Sequence, residues 1–296
     1  MKGYLSEGVV STVINRVRKY GFWATVRYFL SIRVWARFVV GRVAGYSIED
    51  RLADRRNNHI ATPNRAALFC AAWGEYLDLM FSYSVPSLLQ EGNIPGLCSE
   101  GYELSINIYT QDDGEEYILD KYGPIVAVMK QYMDVNVLPR GFKIVEESEN
   151  EHSLGLLHCL ADHAQHCVDD NALMLYGPPD TIFGNDSFVN GASLIKGKDV
   201  CLAVPHPRVS WESVVSSPDF EGLCRMEESI GNDQLVDLAF KHGHGSLLNA
   251  FDDQQENCTH LGLSVRRVKD GSYAITSNLP SVYIVNIHQD DVDFIR

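Results

Sequence analysis

The chain has 296 residues, of which 45% are hydrophobic and 22% are charged, and its formal net charge is −14. These proportions are typical of a folded globular protein and exclude wholesale disorder. No uninterrupted apolar run reaches the roughly 18 residues that a transmembrane helix needs. The acidic balance disfavours nucleic-acid binding, because it repels phosphates. The seven cysteines are scattered without a C-x-x-C pair, which predicts free thiols and a cytoplasmic location.

Positive charge is concentrated at the start of the sequence. Residues 1–56 contain 11 Lys and Arg and 4 acidic residues, a charge of +7, so the remaining residues carry −21. Apolar residues follow a helical period over 8–45, and arginines alternate with aromatic residues around 32–40. We therefore predict a basic, helical arm at 1–60 before an α/β domain at 61–296. The arm either lies on the anionic inner face of a membrane, as in a peripheral membrane protein, or packs on the domain or a second subunit.

From residue 66 onward, short apolar runs alternate with helical patterns. The predicted strands of the first half are 66–72, 104–110, 142–146 and 172–176. The predicted helices between them are 76–89, 117–133 and 152–168, with a turn cluster at 92–96. The later predicted elements are strands at 201–204, 263–268, 273–277 and 282–287, and a helix that ends at 235–241. This alternation predicts an α/β fold with a mostly parallel central sheet and right-handed crossovers.

Several common motifs are absent from the sequence. There is no G-x-G-x-x-G after the first strand, no G-x-x-x-x-G-K-[ST] loop and no G-x-S-x-G elbow. These absences argue against dinucleotide-binding enzymes, P-loop enzymes and α/β-hydrolases, respectively.

The most informative segment is Ala172–Phe188, which reads ALMLYGPPDTIFGNDSF. Its apolar strand leads into two prolines and Asp180, and a second polar cluster contains Asp186. Ligands of open α/β sheets bind outside the carboxyl ends of strands, where an Asp can hold a divalent cation beside a nucleotide leaving group. Pro, Asn, Asp and Gly are also the ordinary residues of turns, so both aspartates can instead be turn residues.

This segment resembles the strand-to-DxD region of GT-A-type glycosyltransferases, where an apolar strand ends in Asp-x-Asp followed by hydrophobic residues. The stretch from Trp73-Gly74-Glu75-Tyr76 to Asn93-Ile94-Pro95, followed by the strand INIYT, is similar to the start of bacterial glycosyltransferase-like proteins. The resemblance covers roughly residues 66–210. It implies a nucleotide-diphospho-sugar transferase (GT-A) fold and transfer of a sugar from a nucleoside diphosphate donor to an acceptor. The sequence departs from the family at Pro178, which stands where the family has the first Asp of the triplet.

The resemblance also implies particular site residues. The implied catalytic residues are Asp180 and Asp186. The implied ligands of Mn²⁺ or Mg²⁺ are Asp180, Asp186 and a late histidine, which is His288 or, as an alternative, His244. The implied nucleotide-binding residues are Trp73, Thr110, Asp112 and Asp113. The carboxylates of Asp112 and Asp113 would hydrogen-bond uracil or ribose. The segment QDDGEE, residues 111–116, is equally well an ordinary solvated loop. Glu212 and Asp219 are guesses for a general base.

The predicted helix at 152–168 carries two rows of possible metal ligands. One row is His158, Asp162 and His166, and the other is Cys159, His163 and Cys167, each with a spacing of four residues. Zinc accepts these atom types, but no partner motif stands elsewhere, which favours an ordinary polar surface. His158 could also face the crevice near Asp180. Two functions remain open: a glycosyltransferase, or a catalytically inactive binding or scaffolding protein of the same fold.

Overall fold

The structure is a computed structural model. It describes residues 63–139, 149–197, 201–204, 207, 209–218, 220, 231–244, 263–267, 273–277, 281–289 and 291–292. All of them belong to the compact unit His59–Arg296. The arm predicted at 1–60 lies outside the described residues, so it stays a prediction. None of the helices in the described part of the chain is both long enough and apolar enough to cross a membrane.

The described residues form eight strands. They are β1 Arg65–Ala71, β2 Glu103–Thr110, β3 Asp134–Pro139, β4 Ala172–Tyr176, β5 Cys201–Val204, β6 Leu263–Arg267, β7 Tyr273–Ser277 and β8 Ser281–Asn286. Six of the strands make one sheet in the order β3-β2-β1-β4-β8-β5, and β6 pairs with β7 separately. Strands β3, β2, β1 and β4 are parallel, whereas β8 is antiparallel to both of its neighbours. The predicted α/β fold with a mostly parallel sheet is confirmed.

Helices connect these strands. They are α1 Glu75–Leu79, α2 Val85–Leu88, α3 Ile94–Ser99, α4 Gly114–Met129, α5 Glu149–Asp169, α6 Ser187–Ile195, α7 Trp211–Val215 and α8 Asn232–Lys241. A π-helical turn, Met80–Ser84, joins α1 to α2. Pro86 lies in the first turn of α2, where it has no N–H to donate to the preceding turn. The wider turn therefore accommodates the proline without ending the helical path.

Side chains of the central strands alternate between two core layers. Leu68 and Cys70 of β1 pack in a cluster with residues of α1 to α4 and of α6. Ala67 and Phe69, which point to the other face, pack with Cys159 and other residues of α5. Because β1 is buried on both faces, its sequence is a continuous apolar run rather than an alternating one. The sheet is therefore the middle layer of three.

The structure differs from the sequence prediction in three places. The third strand along the chain is β3, and the sequence analysis assigned no element to this stretch. The strand predicted at 142–146 lies outside the described residues. β3 is a half-buried end strand, so polar residues interrupt its apolar pattern. The turn cluster predicted at 92–96 contains the start of α3, with Pro95 in its first turn, where proline is favoured. The helices α6 and α7 were not predicted.

Candidate functional site

The order of strands in the sheet changes side at β1. The strands β2 and β3 follow on one side of β1, and β4 lies on its other side. Because the three parallel strands β2, β1 and β4 are in register, the loops that follow them leave the same edge of the sheet side by side. Open α/β sheets bind ligands at such a switch point, outside the carboxyl ends of the strands.

Asp180 follows β4 at this edge, and its side chain is exposed. Its negative charge affects the pKa of one side chain on β1 and of one on β4. Burial, and secondly the charge of Asp180, raises the pKa of the Cys70 thiol on β1 well above its usual range. Burial, with smaller effects of Cys70 and Asp180, also raises the pKa of the Tyr176 phenol at the end of β4. The N–H of Gly177, between β4 and Asp180, donates to the carbonyl oxygen of Phe69 at 2.9 Å, so the loop that carries Asp180 leaves the edge beside β1.

The buried hydroxyl of Ser84, in the π-helical turn, holds the backbone on both sides of Asp180. Its Oγ lies 2.8 Å from the carbonyl oxygen of Pro179 and 2.7 Å from that of Thr181, one of which accepts its hydrogen. The same oxygen accepts the N–H of Thr181 at 3.2 Å. Pro178 and Pro179 have no N–H groups of their own, so this one side chain supplies much of the loop's hydrogen bonding. The sequence analysis did not identify Ser84.

The rest of the loop runs along the same helical segment and away from the edge. Ser87 Oγ accepts the N–H of Phe183 at 3.0 Å. Further on, the buried Asn93 side chain donates to the carbonyl of Gly184 and accepts the N–H of Phe188. Polar side chains of the segment from Ser84 to Asn93 thus fasten successive points of the loop from Asp180 to α6. A buried backbone that lies outside a ladder needs such partners.

Asp186 has a structural position at the far end of this loop. It precedes α6 with a φ of 62°, the left-handed region that Asp and Asn tolerate better than most residues. Its carboxylate lies so close to the backbone of Gly92 that a Cβ at position 92 would be 1.8 Å from its Oδ1. The neighbouring Asn185 accepts the N–H of Gly92 at 3.0 Å. The structure therefore does not bring Asp186 to the part of the loop that Ser84 holds around Asp180.

His288 lies at the opposite edge of the sheet from Asp180. Strand β8 runs antiparallel to β4, with Asn286 opposite Leu173, so the residues after β8 stand beside the beginning of β4. Among the residues that the structure describes, no group of three or more His, Cys, Asp and Glu side chains is placed to hold a metal ion. The ligand set Asp180, Asp186 and His288 therefore does not fit a single bound cation.

Two of the predicted nucleotide-binding residues also lie at the carboxyl edge. Trp73 follows β1 and packs, half-buried, against the core layer of α5. Thr110 ends β2 and is fully buried. Its Oγ1 has no hydrogen-bond partner among the described residues, and it lies against Gly114, where a Cβ would be 2.3 Å away. Thr110 is thus a packing residue below the edge, whereas Trp73 is partly accessible.

Asp112 and Asp113 are exposed and line a cavity of about 760 Å³ at the start of α4. The other residues that line it are Glu115, Glu116, Tyr117, Leu119 and Asp120. Neither Asp180 nor Trp73 belongs to this cavity. Its five carboxylates repel a phosphate group, and the acidic residues in the first turn of α4 stabilise the helix itself through its dipole.

A hydrogen-bonded cluster joins α1 to α4 beside this cavity. Asp78 Oδ1 accepts from Tyr122 at 2.6 Å, from Tyr117 at 2.7 Å and from Lys121 Nζ at 2.9 Å. Burial alone would raise the pKa of Asp78, but the hydrogen bonds from the two tyrosines and the lysine outweigh it and lower the pKa to about 2. The positive charge of Lys121 is thereby committed to Asp78.

The two rows of α5 have the different surroundings that their spacing indicates. His158, Asp162 and His166 are exposed, and His166 pairs with Asp170 at 3.3 Å. Cys159, His163 and Cys167 are buried against the sheet. His158 lies in the exposed row rather than in the row that packs on the sheet. Burial, and less strongly the charge of Asp170, raises the pKa of Cys167 to about 12, so its thiol is protonated and a poor ligand.

The remaining candidates belong to the region after β5. His242 Nδ1 lies 2.8 Å from Ser213 Oγ, and His244 and Glu212 are exposed. Asp219 lies outside the described residues. Two segments contact this region: Ile182 of the loop after β4 and Tyr83 of the π-helical turn both pack on a cluster of Val214, Phe220 and Leu238.

The fold defines the class of the protein as a three-layer α/β protein with a mostly parallel sheet and a topological switch point between β1 and β4. Comparisons with protein-family models, with curated proteins and with solved structures found no match to this chain. Function must therefore be argued from the site itself.

Proposed function

We propose that this protein is a glycosyltransferase of GT-A type that moves a sugar from a nucleoside diphosphate donor to an acceptor. The observation that carries the proposal is the position of Asp180, an exposed residue in the loop that leaves β4 beside β1 at the carboxyl edge. This is where α/β sheets bind nucleotides. Ser84 holds the loop on both sides of Asp180, and such support gives an exposed side chain a defined position.

The donor would occupy the β1 and β4 side of the edge. The acidic cavity at the start of α4 disfavours phosphates, whereas the turn after β1 contains the exposed Gly74, with a φ of 54° and open space where a side chain would stand. A diphosphate could approach the backbone closely there, with Trp73 beside the nucleoside. Asp180 would accept hydrogen bonds from hydroxyl groups of the ribose or the sugar. Positive charge for the departing diphosphate would come from a cation or from basic groups.

The function is tested by calorimetry of the full chain with UDP and with GDP, each with and without Mn²⁺. We expect one of the two nucleotides to bind, and we expect Asp180→Asn, which keeps the shape and removes the charge, to weaken binding by about tenfold or more. The matched control is Asp186→Asn, because asparagine tolerates the left-handed backbone and Asp186 packs on Gly92. Equal nucleotide binding by Asp180→Asn and the unchanged protein would make Asp180 a turn residue and refute its role.

A non-catalytic binding or scaffolding module is the second candidate function. It is favoured by Pro178, which replaces a carboxylate at the position that the glycosyltransferase resemblance requires. In that case neither nucleotide binds, with or without Mn²⁺. In either case, the basic arm at 1–60 would recruit the protein to an anionic membrane surface or mediate self-association.

A further inference from the structure

Trp211, at the start of α7, presents a large aromatic surface next to the loop that carries Asp180. Its side chain is 40% exposed, although tryptophan is on average one of the more buried residues. The rings of Tyr83 and Phe220 contact it at 5.1 Å and 5.9 Å between centroids, with interplanar angles of 72° and 87°. Both contacts are nearly perpendicular, so neither ring lies flat on the indole.

The contacts of Trp211 connect it closely to Asp180. Tyr83 precedes Ser84, whose hydroxyl holds the carbonyl groups of the two residues on either side of Asp180. Ile182, two residues after Asp180, packs on the same cluster as Tyr83, which includes Val214 of α7. The aromatic group and the carboxylate are thus fixed by one element, the π-helical turn. A ligand bound against Trp211 would lie near the loop in which Asp180 stands.

The charges around Trp211 indicate what kind of ligand suits it. Glu212 follows it in the same turn, with its carboxylate 3.3 Å from Ser210 Oγ, and Asp180 is the charged residue of the adjacent loop. These two carboxylates accept hydrogen bonds from neutral hydroxyl groups. An exposed aromatic surface beside such acceptors fits a sugar ring, which has apolar C–H groups on its faces and hydroxyl groups around its rim.

We propose that Trp211, supported by Tyr83 and Phe220, is the platform on which a neutral sugar ring of the acceptor stacks beside Asp180. This assignment rests on the proposed function, since it names the acceptor class of the same site. It places the acceptor on the β4 side of the edge, next to the donor position at Gly74 and Trp73. The acceptor is then a carbohydrate rather than a protein side chain or a lipid alone.

The test uses the full chain and saturation-transfer NMR with maltose, cellobiose and chitobiose as probes. We expect at least one disaccharide to bind, with transfer to its ring C–H protons, and we expect Trp211→Ala to weaken that binding about fivefold or more. Trp211→Phe should keep part of the binding. The matched control is Val215→Ala, because Val215 lies on the same helix and is also 40% exposed; this variant should bind as the unchanged protein does.

Several outcomes would overturn the platform. The first two are that none of the three disaccharides binds, or that Trp211→Ala binds them as well as the unchanged protein does. The third is that Trp211→Ala loses only UDP binding, which would make the indole a platform for the nucleotide base. The fourth is that Trp211→Ala changes the oligomeric state and leaves saccharide binding unchanged. UDP calorimetry separates this proposal from the proposed function. If Asp180→Asn leaves UDP binding intact while Trp211→Ala loses the disaccharide, the transferase proposal fails and a carbohydrate site remains.

Discussion

At the scale of single residues, a neutral histidine is built into the contact between α5 and the sheet. His163 is fully buried, with Nδ1 3.1 Å from Asn107 Nδ2 and Nε2 3.2 Å from the carbonyl oxygen of Ala67. Because Asn107 Oδ1 accepts from Asn136, its amide nitrogen is the donor to Nδ1. Nε2 therefore carries the proton and donates to Ala67. This network satisfies the neutral ring and offers no acceptor for a second proton.

The first prediction concerns acid stability. Burial lowers the pKa of His163 from 6.5 to about 4, with a hydrogen bond to Ala67 opposing the shift and the charge of His166 adding to it slightly. The unfolded chain therefore binds a proton before the folded chain does. The stabilisation is complete above pH 6.5 and is lost as the pH falls from 6.5 to about 4, with a slope of up to about 1.4 kcal/mol per pH unit. Urea unfolding at a series of pH values measures this slope.

The variant His163→Gln should flatten the pH dependence over that interval, whatever it does to stability at neutral pH. His158→Gln is the control, since His158 is an exposed histidine of the same helix and its removal should leave the slope unchanged. A slope that persists in His163→Gln would assign the acid sensitivity to other groups. The comparison depends on slopes rather than on absolute stability, so the loss of packing in the variant does not obscure it.

At the scale of elements, the π-helical turn supports the loop after β4. The turn brings Ser84 under the two prolines, and Ser87 and Asn93 continue the same support toward α6. π-helical turns within α-helical segments are frequent at functional sites. The loop therefore depends on side chains of another element rather than on a ladder of its own.

The second prediction is that Ser84→Ala destabilises this loop. The change removes the hydroxyl that contacts the carbonyls of Pro179 and Thr181. It leaves the N–H of Thr181 with only its 3.3 Å bond to the carbonyl of Pro178, and we expect a cost of about 1–3 kcal/mol in the free energy of unfolding. Hydrogen exchange should increase at Thr181 and Phe183 more than in β1. The control Ser193→Ala replaces an exposed serine of α6 and should be nearly neutral. Uniform destabilisation without faster exchange in the loop would show that the loop does not depend on Ser84.

At the scale of the whole molecule, the basic segment and the hydrophobic core occupy different parts of the chain. The net positive charge lies in residues 1–56, whereas the two large core clusters that the structure describes are built from residues between Ala66 and Val292. A domain with its own hydrophobic core can fold alone.

The third prediction follows from this division. A chain that lacks residues 1–60 should remain soluble and unfold in one cooperative transition, with a midpoint close to that of the full chain, because the described core stays intact. Thermal unfolding followed by circular dichroism measures the transition. An insoluble product, or a broad transition without a cooperative midpoint, would mean that the arm belongs to the core.

The sequence alone was sufficient wherever burial leaves a local pattern. Strand β4 begins and ends at the predicted residues, because a strand that is covered on both faces is an unbroken apolar run. The two rows of α5 were separable because residues four apart share one side of a helix. The position of Asp180 just after β4 was predictable for a similar reason, since the strand, its prolines and Asp180 are contiguous in the chain.

The tertiary structure decided what depends on contacts between distant segments. β3 escaped prediction because a half-buried end strand need not be apolar throughout. His288 was grouped with Asp180, but the antiparallel direction of β8 sends it to the opposite edge, and strand direction is set by pairing rather than by local sequence. Ser84 and Trp211 belong to no motif, and only the fold places the loop against Ser84 and the two aromatic rings against Trp211. Local periodicity records which side chains are buried, whereas the partners of a side chain are determined only when the layers pack.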